Sequence, residues 1–168
     1  MLKNKKGFSL IELMTALIII GILLSVALPS YKISVLEAKI VNNLPLLKAM
    51  QVSMLDYYNL HNSLPNQITQ LSMNTGEFSD ISSAQATHTT TRCVFTMNNS
   101  QTSPSVSMDC NEGWNMRFQL EPSALGYTYG ERRFNVTGGG SDAERLHKVA
   151  KTLGWQQDPN DTNAYFVQ

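Results

Sequence analysis

A nearly continuous apolar run opens the chain. Between Phe8 and Leu28 almost every residue is apolar, and Glu12 is the one charged residue. A helix of about 20 residues spans the hydrocarbon core of a bilayer, so the run predicts one membrane-crossing helix. The basic residues Lys3, Lys5 and Lys6 precede it, and lysines favour the cytoplasmic side. We therefore expect the segment after them to insert in the membrane.

A second apolar pattern follows with the period of an amphipathic helix. After Tyr31 the apolar positions are Ile33, Leu36, Ile40, Leu44, Leu47, Met50, Met54 and Tyr58. The opposite side is polar, with Lys32, Lys39, Asn42, Asn43, Lys48 and Asp56. We expect this half to continue the first helix and to pack its apolar stripe on a globular head.

Three residues weaken the helical pattern. Gly21 makes local unwinding easy, and Pro29 and Pro45 each remove a backbone hydrogen bond. The sequence therefore predicts kinks at these positions and a curved helix that ends near Asn59. The alternative role for Gly21 is to permit close contact between helices.

The remaining residues have the shorter period of strands. Ile68–Met73 is expected to form a short helical turn, and Ser79–Thr91 an exposed loop rich in serine and threonine. Five strands are then predicted, at Arg92–Met97, Ser105–Met108, Asn115–Leu120, Leu125–Tyr129 and Arg132–Val136. In the third strand, apolar and polar residues alternate, which predicts one buried and one solvated face.

A second helix and a last strand complete the pattern. The Gly138–Gly140 run leads into a helix that reaches about Leu153, and Ser141 and Glu144 have capping-box spacing. We interpret the glycines as a flexible connector, because the lysine and spacing of a phosphate-binding P-loop are absent. Ala164–Val167 is expected to add an edge strand. The predicted fold is α+β, with the first helix packed on an antiparallel meander and a short C-terminal helix.

Length and charge bound the class of protein. A chain of 168 residues suits one domain beyond the membrane helix. The 13 basic and 13 acidic side chains balance, and loss of the three leader lysines would leave ten against thirteen, a net charge of −3. Such a surface offers no overall electrostatic attraction for nucleic acid, and no nucleic-acid partner is predicted.

The start of the apolar run carries a recognisable motif, Lys6-Gly7-Phe8-Ser9-Leu10-Ile11-Glu12-Leu13. It resembles the N-terminal signature of type IV pilins and of type II secretion pseudopilins. The likeness continues at Thr15, Gly21, Ala27, Pro29 and Tyr31, and it is not legible in the globular part. A secretory signal peptide would be cut after its apolar region, whereas this junction precedes it.

The resemblance implies a processing step. A membrane-embedded prepilin peptidase would cut between Gly7 and Phe8 and methylate the new amine of Phe8. The expected organisation is a leader over residues 1–7 that is removed, a membrane and assembly helix over 8–28, its amphipathic half over 29–60, and a pilin-like α+β head over 61–168.

Glu12 stands out on physical grounds. A charged carboxylate within a membrane helix costs about 2.5–3.5 kcal/mol on insertion scales, and such groups are usually partnered. Cleavage would create an amine on Phe8, four residues before Glu12. The Phe8 amine of a neighbouring subunit could pair with Glu12 and set the axial register of a filament, a role that the resemblance also implies. The alternative is that Glu12 extends to the membrane surface and has no specific partner.

Two cysteines lie at the outer ends of neighbouring predicted strands. Cys93 lies at the start of the first strand and Cys110 at the end of the second, so a hairpin could bring them together. An oxidising compartment beyond the membrane favours a disulfide. In many pilins a disulfide instead closes a C-terminal loop, so this placement departs from the family pattern.

Catalytic chemistry has little support. His61, His88 and His147 are scattered, without metal-ligand spacing, and we expect them in loops or on the surface. No enzymatic activity and no cofactor are predicted.

An oxygen-rich cluster lies near the C-terminus, formed by Asp158, Asn160, Asp161 and Asn163. The calcium loops of some pseudopilins are similar, but the EF-hand spacing is absent. We favour an ordinary turn over a calcium site.

The resemblance implies a structural subunit of a type IV pilus for adhesion, motility or DNA uptake. It would be made as a single-pass precursor in the inner membrane and assembled on the cell surface. The implied partners are copies of itself, other pilin-like subunits, the prepilin peptidase and the assembly machinery. The alternatives are a minor pilin, a type II secretion pseudopilin in a periplasmic filament, and a signal-anchored periplasmic binding module that never polymerises.

Overall fold

One helix, α1, extends from Leu10 to His61 in the computed structural model, which describes residues 7–168. The predicted leader therefore lies outside the described residues except for its last position, Gly7. The chain divides into two compact units, of which the first ends at Val35 and the second is Leu36–Gln168.

The helix is unbroken at the three positions where kinks are predicted, Gly21, Pro29 and Pro45. A kink is a change in the direction of the helix axis, and a helix can be kinked without being broken. The kinks at these positions therefore stay predictions. The helix ends close to the expected residue. Asn62 follows it with φ 52°, and its N–H donates to the carbonyl of Tyr58 at 2.7 Å. Asparagine tolerates this left-handed conformation, which closes the last turn.

Eight strands form a single antiparallel sheet. They are β1 Phe78–Ser79, β2 Gln85–His88, β3 Val94–Asn98, β4 Ser105–Asp109, β5 Trp114–Ser123, β6 Gly126–Val136, β7 Gln156–Gln157 and β8 Ala164–Phe166. Their order across the sheet is β1-β2-β3-β4-β5-β6-β8-β7. Two short 3₁₀ helices, Ile68–Gln70 and Thr75–Glu77, precede the sheet, and a second helix, α2, spans Gly140–Thr152. The α+β fold and the antiparallel meander are confirmed.

The core of the second unit lies between α1 and one face of the sheet. The predicted alternation on β5 is confirmed, because its apolar side chains are buried and the polar ones between them are half-buried or exposed. The apolar stripe of α1 supplies the other side of the core, with Ile40, Leu47, Met50 and Met54 fully buried.

Asn43 was expected on the polar side of α1, and that expectation is wrong. Its side chain is fully buried. The Oδ1 atom accepts a hydrogen bond from the hydroxyl of Thr91 at 3.0 Å, and Nδ2 donates to the carbonyl of Lys39 at 2.8 Å. These bonds satisfy the amide, which is the condition for burying a polar side chain.

Gln51 joins α1 to the sheet. It is fully buried, Nε2 donates to the carbonyl of Gln119 at 2.7 Å, and Oε1 accepts from Nε of Arg132 at 3.1 Å. Gln119 lies where the pairing between β5 and β6 shifts register. A helix side chain therefore contributes hydrogen bonds at the irregular part of the sheet.

Replacing Gln51 with methionine, which has a similar volume, should lower the free energy of unfolding by about 1–3 kcal/mol, because it removes the partner of the Gln119 carbonyl and of the Arg132 guanidinium. Denaturant unfolding followed by tryptophan fluorescence measures the change. Asn42→Met, at an exposed position on the same helix, is the control and should stay within about 0.5 kcal/mol of the wild type. Equal losses in the two variants would contradict the role assigned to Gln51.

A strand replaces part of the loop that was predicted at Ser79–Thr91. Residues Gln85–His88 form β2, in which Ala86 and His88 are buried. Small polar residues hide the apolar alternation that indicates a strand, so the loop prediction is wrong there.

The strands predicted at Leu125–Tyr129 and Arg132–Val136 are one strand, β6. The pairing passes from Phe118 opposite Arg132 to Leu120 opposite Tyr129, so β6 has one residue more than β5 over this interval. A bulge accommodates the extra residue where a turn was expected.

The start of α2 differs from the prediction. Its N-cap is Gly139, without a side-chain hydrogen bond, so the expected capping box of Ser141 and Glu144 is wrong. Gly138 is also more than a flexible connector. Its N–H donates to the carbonyl of Gly113 at 2.8 Å, and a Cβ on Gly113 would stand 3.0 Å from the Gly138 Cα. The two backbones approach too closely for a side chain.

The last strand, β8, was expected at an edge of the sheet. It lies instead between β6 and β7, and β7 forms the edge. Ala164 and Tyr165 are buried in this position. The prediction missed β7 because its two exposed glutamines give no apolar pattern.

Candidate processing and assembly site

The Gly7–Phe8 junction lies just before α1. Residues 7–9 have no regular secondary structure, and Gly7 and Phe8 are exposed. Among the described residues, no heavy atom comes within 4 Å of the place where a Cβ on Gly7 would stand. The fold of the described chain therefore does not itself require glycine here. An accessible, non-helical backbone is the form in which a peptidase can bind a peptide bond.

Glu12 caps the helix that follows the junction. Its Oε2 accepts a hydrogen bond from the backbone N–H of Ser9 at 2.8 Å, and Leu13 N–H donates to the Ser9 carbonyl at 3.2 Å. The carboxylate is thus turned back toward the helix start, where it also complements the positive end of the helix dipole. It lies beside the residue that would follow the new amine after cleavage at Gly7–Phe8.

This cap was missed in the sequence, although its signal is present. Ser9-Leu10-Ile11-Glu12 has the spacing of a capping box, in which the acidic residue accepts from the N–H of the cap residue. The same spacing at the start of α2 is not used.

The apolar part of α1 has the character of a membrane span. It is long and apolar enough to cross a bilayer by length and composition, and the most apolar window is exposed. Its hydroxyl groups bond within the helix, Thr15 Oγ1 to the carbonyl of Glu12 at 3.0 Å and Ser25 Oγ to that of Ile22 at 2.7 Å. Internal hydrogen bonds of this kind suit a medium without water.

Cys93 and Cys110 form the predicted disulfide. They flank a hairpin, because Cys93 precedes β3 and Cys110 follows β4, and Val94 pairs with Asp109. Both cysteines are buried. The bond closes the open end of the hairpin over a sequence separation of 17 residues.

The C-terminal oxygen cluster forms turns and an ion pair. Asp158 is buried, its Oδ2 lies 3.0 Å from Nη2 of Arg133, and its Oδ1 accepts from the N–H of Asn160 at 2.9 Å. Asp161 Oδ1 accepts from the N–H of Asn163 at 2.9 Å. These are the hydrogen bonds of Asx turns. Within residues 7–168, no group of three or more His, Cys, Asp or Glu side chains is placed to hold a metal ion.

Each histidine contacts its own neighbours. His61 is exposed and stacks on Tyr57 with ring centroids 4.1 Å apart. His88, expected in a loop or on the surface, is buried at the end of β2, and its Nδ1 lies 2.8 Å from the Thr91 hydroxyl. The same hydroxyl donates to the amide oxygen of Asn43, and the Thr91 backbone N–H lies 3.4 Å from His88 Nδ1. The expected location is therefore wrong for His88, which packs inside the head.

Tyr165 makes the stability of the folded protein depend on pH. Burial raises its pKa above the ordinary 10.0, and its hydroxyl lies 2.8 Å from Nδ1 of His147. The folded protein holds this proton more tightly than the unfolded chain does. The contribution of Tyr165 to the free energy of unfolding is therefore complete below about pH 10, and it is lost as the pH rises through the higher pKa of the folded state.

Tyr165→Phe should reduce the fall in the free energy of unfolding between about pH 9 and pH 11. Tyr129→Phe, at an exposed position, should leave that pH dependence unchanged. If the two variants share one pH profile, the assignment to Tyr165 is wrong.

Comparison with known proteins gives a match to a known N-terminal motif and several similar proteins. Residues 2–28 match the prokaryotic N-terminal methylation motif. The chain is 37% identical over 65 residues to a fimbrial protein of Neisseria meningitidis. These aligned residues cover 39% of this chain and 38% of that protein. It is also 37% identical over 65 residues to the type IV major pilin protein PilE1 of Neisseria gonorrhoeae, covering 39% of each. No solved structure matches.

The chain thus spans about two fifths of the length of these relatives. The motif contains the Gly7–Phe8 junction and the start of α1, where Glu12 caps the helix. The chain carries the prokaryotic N-terminal methylation motif, and over this limited length it is similar to the type IV pilins of Neisseria.

Proposed function

We propose that this chain is a structural subunit of a type IV pilus, made as a membrane-anchored precursor and assembled into a helical filament. The observation that carries the proposal is the N-terminal methylation motif, with its junction exposed directly ahead of a long apolar helix. The fimbrial protein and the PilE1 pilin with which the chain shares 65 aligned residues support the same role.

Processing takes place between Gly7 and Phe8. A prepilin peptidase in the inner membrane removes the leader and methylates the amine of Phe8. The absence of any fold requirement for glycine at position 7, within the described chain, supports recognition by such an enzyme. The processed chain then begins with its own membrane helix.

Assembly transfers these helices from the membrane into a filament. Subunits that repeat head to tail without closing a ring produce filaments of this kind. The Phe8 amine of one subunit pairs with Glu12 of its neighbour and fixes the axial register. The capping hydrogen bond supports this step, because it holds the Glu12 carboxylate at the start of the helix.

The head provides the outer surface of the filament and has no enzymatic role in this proposal. Its partners are other copies of the chain and the assembly machinery of the inner membrane. The disulfide between Cys93 and Cys110 supports a head exposed to an oxidising compartment.

The first test is the mass of the N-terminal peptide in sheared filaments and in membranes of cells that make the protein. We expect a chain that starts at methylated Phe8 in the sheared material. The same end confined to membranes would overturn the extracellular pilus and favour a periplasmic filament. A chain that keeps its leader throughout would exclude filament assembly by this route.

A further inference from the structure

A cleft of about 570 Å³ opens beside the end of α1, and no part of the proposed assembly uses it. Tyr57 and Tyr58 line it from the helix, and Tyr127 lines it from β6. The loop after the helix and the loop between β3 and β4 complete the walls. All these residues belong to the second compact unit.

The lining is polar and uncharged. In the described chain, none of the residues that line the cleft is acidic or basic, and only Leu64 lacks a hydrogen-bonding side chain. Asn62, in the loop after α1, and Gln101, in the loop between β3 and β4, have amides that both donate and accept. Both are exposed.

Internal contacts hold the tyrosines in place. Tyr58 and Tyr127 meet edge to face, with ring centroids 4.7 Å apart and planes at 86°. The Tyr127 hydroxyl donates to the carbonyl of Gln101 at 2.8 Å, which ties β6 to the loop between β3 and β4. Asn99, in the loop between β3 and β4, donates from Nδ2 to Oδ1 of Asn66, in the loop after α1, at 3.0 Å. A site whose side chains are already fixed loses less entropy when it binds a ligand.

Gly126 allows one wall to form. A Cβ at this position would stand 2.7 Å from Cε1 of Tyr58, and the residue has φ +128°. Glycine therefore meets both a steric and a backbone requirement, and it lets the hairpin lie against the Tyr58 ring.

We propose that this cleft binds an uncharged saccharide. A neutral sugar presents hydroxyl groups, which need both donors and acceptors, and an apolar C–H face, which packs on an aromatic ring. The cleft offers both kinds of group and no charge that would select an anion or a cation. A proline-rich peptide would require apolar slots between the rings, and the polar lining provides few. The inference does not depend on filament assembly.

The test uses the full chain in a detergent without a sugar headgroup. Methyl glycosides of glucose, galactose, mannose, N-acetylglucosamine and N-acetylgalactosamine are screened by saturation-transfer NMR with irradiation of the aromatic protons. Sialic acid and a proline-rich peptide serve as comparison ligands. We expect at least one neutral glycoside to bind through its ring C–H groups, with an affinity that is unchanged between about 0.05 and about 0.5 M salt.

Tyr58→Leu should weaken that binding about tenfold, because it removes an aromatic wall of the cleft. Tyr129→Leu, a similar change at an exposed tyrosine outside the lining, should leave it unchanged. Gln101→Ala keeps the carbonyl that Tyr127 uses and removes only the exposed amide, so it gives a second test in a folded protein. Failure of every neutral glycoside to bind, binding of sialic acid or the peptide alone, or equal binding in wild type, Tyr58→Leu and Gln101→Ala would overturn the proposal.

Discussion

A chain with Glu12→Gln is expected to be cleaved after Gly7 and yet to yield no sheared filaments. Glutamine retains an oxygen that can accept the N–H of Ser9, so the helix cap seen at 2.8 Å can persist. In the proposed filament, the change removes only the charge that pairs with the Phe8 amine of the next subunit. Removing one partner of a buried ion pair costs about 3–5 kcal/mol, which weakens each subunit contact more than about a hundredfold.

Two further variants separate charge from capping. Glu37→Gln removes the same charge elsewhere on α1 and should assemble normally. Glu12→Ala removes both the charge and the capping oxygen and should fail. Electron microscopy of sheared material gives the readout, and the mass of the N-terminal peptide shows whether each variant was processed. Normal filaments from Glu12→Gln together with none from Glu12→Ala would mean that the cap is sufficient and that no ion pair sets the register.

Replacement of both Cys93 and Cys110 by alanine should lower the free energy of unfolding of the head by about 3 kcal/mol. The disulfide closes a short loop, and opening it restores conformational freedom to the unfolded chain. The loss is a large fraction of the roughly 5–15 kcal/mol that stabilises a typical domain.

Both tryptophans suit this measurement, because Trp114 and Trp155 are buried in the second compact unit. Their fluorescence therefore follows the head and not the membrane helix during denaturant unfolding. Wild type treated with a reductant should lose the same free energy as the double variant, and the double variant should not respond to reductant. A loss below about 1 kcal/mol in both cases would show that the closed loop adds little to stability.

The sequence predicts the elements whose signal is local and apolar. The stripe that includes Leu47 and Met50 identifies the buried side of α1, and the alternation of Met116 and Phe118 identifies the buried face of β5. Likewise, the two cysteines are separated by a hairpin that the strand pattern itself indicates. In each case the spacing of apolar residues that indicates a helix or a strand can be recognised from a few neighbouring residues.

The features that the sequence does not predict depend on distant partners. Asn43 is buried because the Thr91 hydroxyl, 48 residues away, satisfies its amide oxygen. Likewise, β2 contains Ala86 but no larger aliphatic side chain, and it becomes a strand by pairing with β3. The helix cap formed by Ser9 and Glu12 is different, because its motif is local. Glu12 was interpreted only as a charge that pairs with a neighbouring subunit, and its capping role was not predicted.

The placement of β8 between β6 and β7 affects how the protein is made. The last residues fill an interior position, and the Val167 N–H donates to the carbonyl of Arg132 at 2.9 Å. In the proposed topology the head therefore cannot complete its sheet until Ala164–Phe166 have crossed the membrane. A chain truncated before Ala164 would leave β6 as an open edge, which invites pairing with other chains.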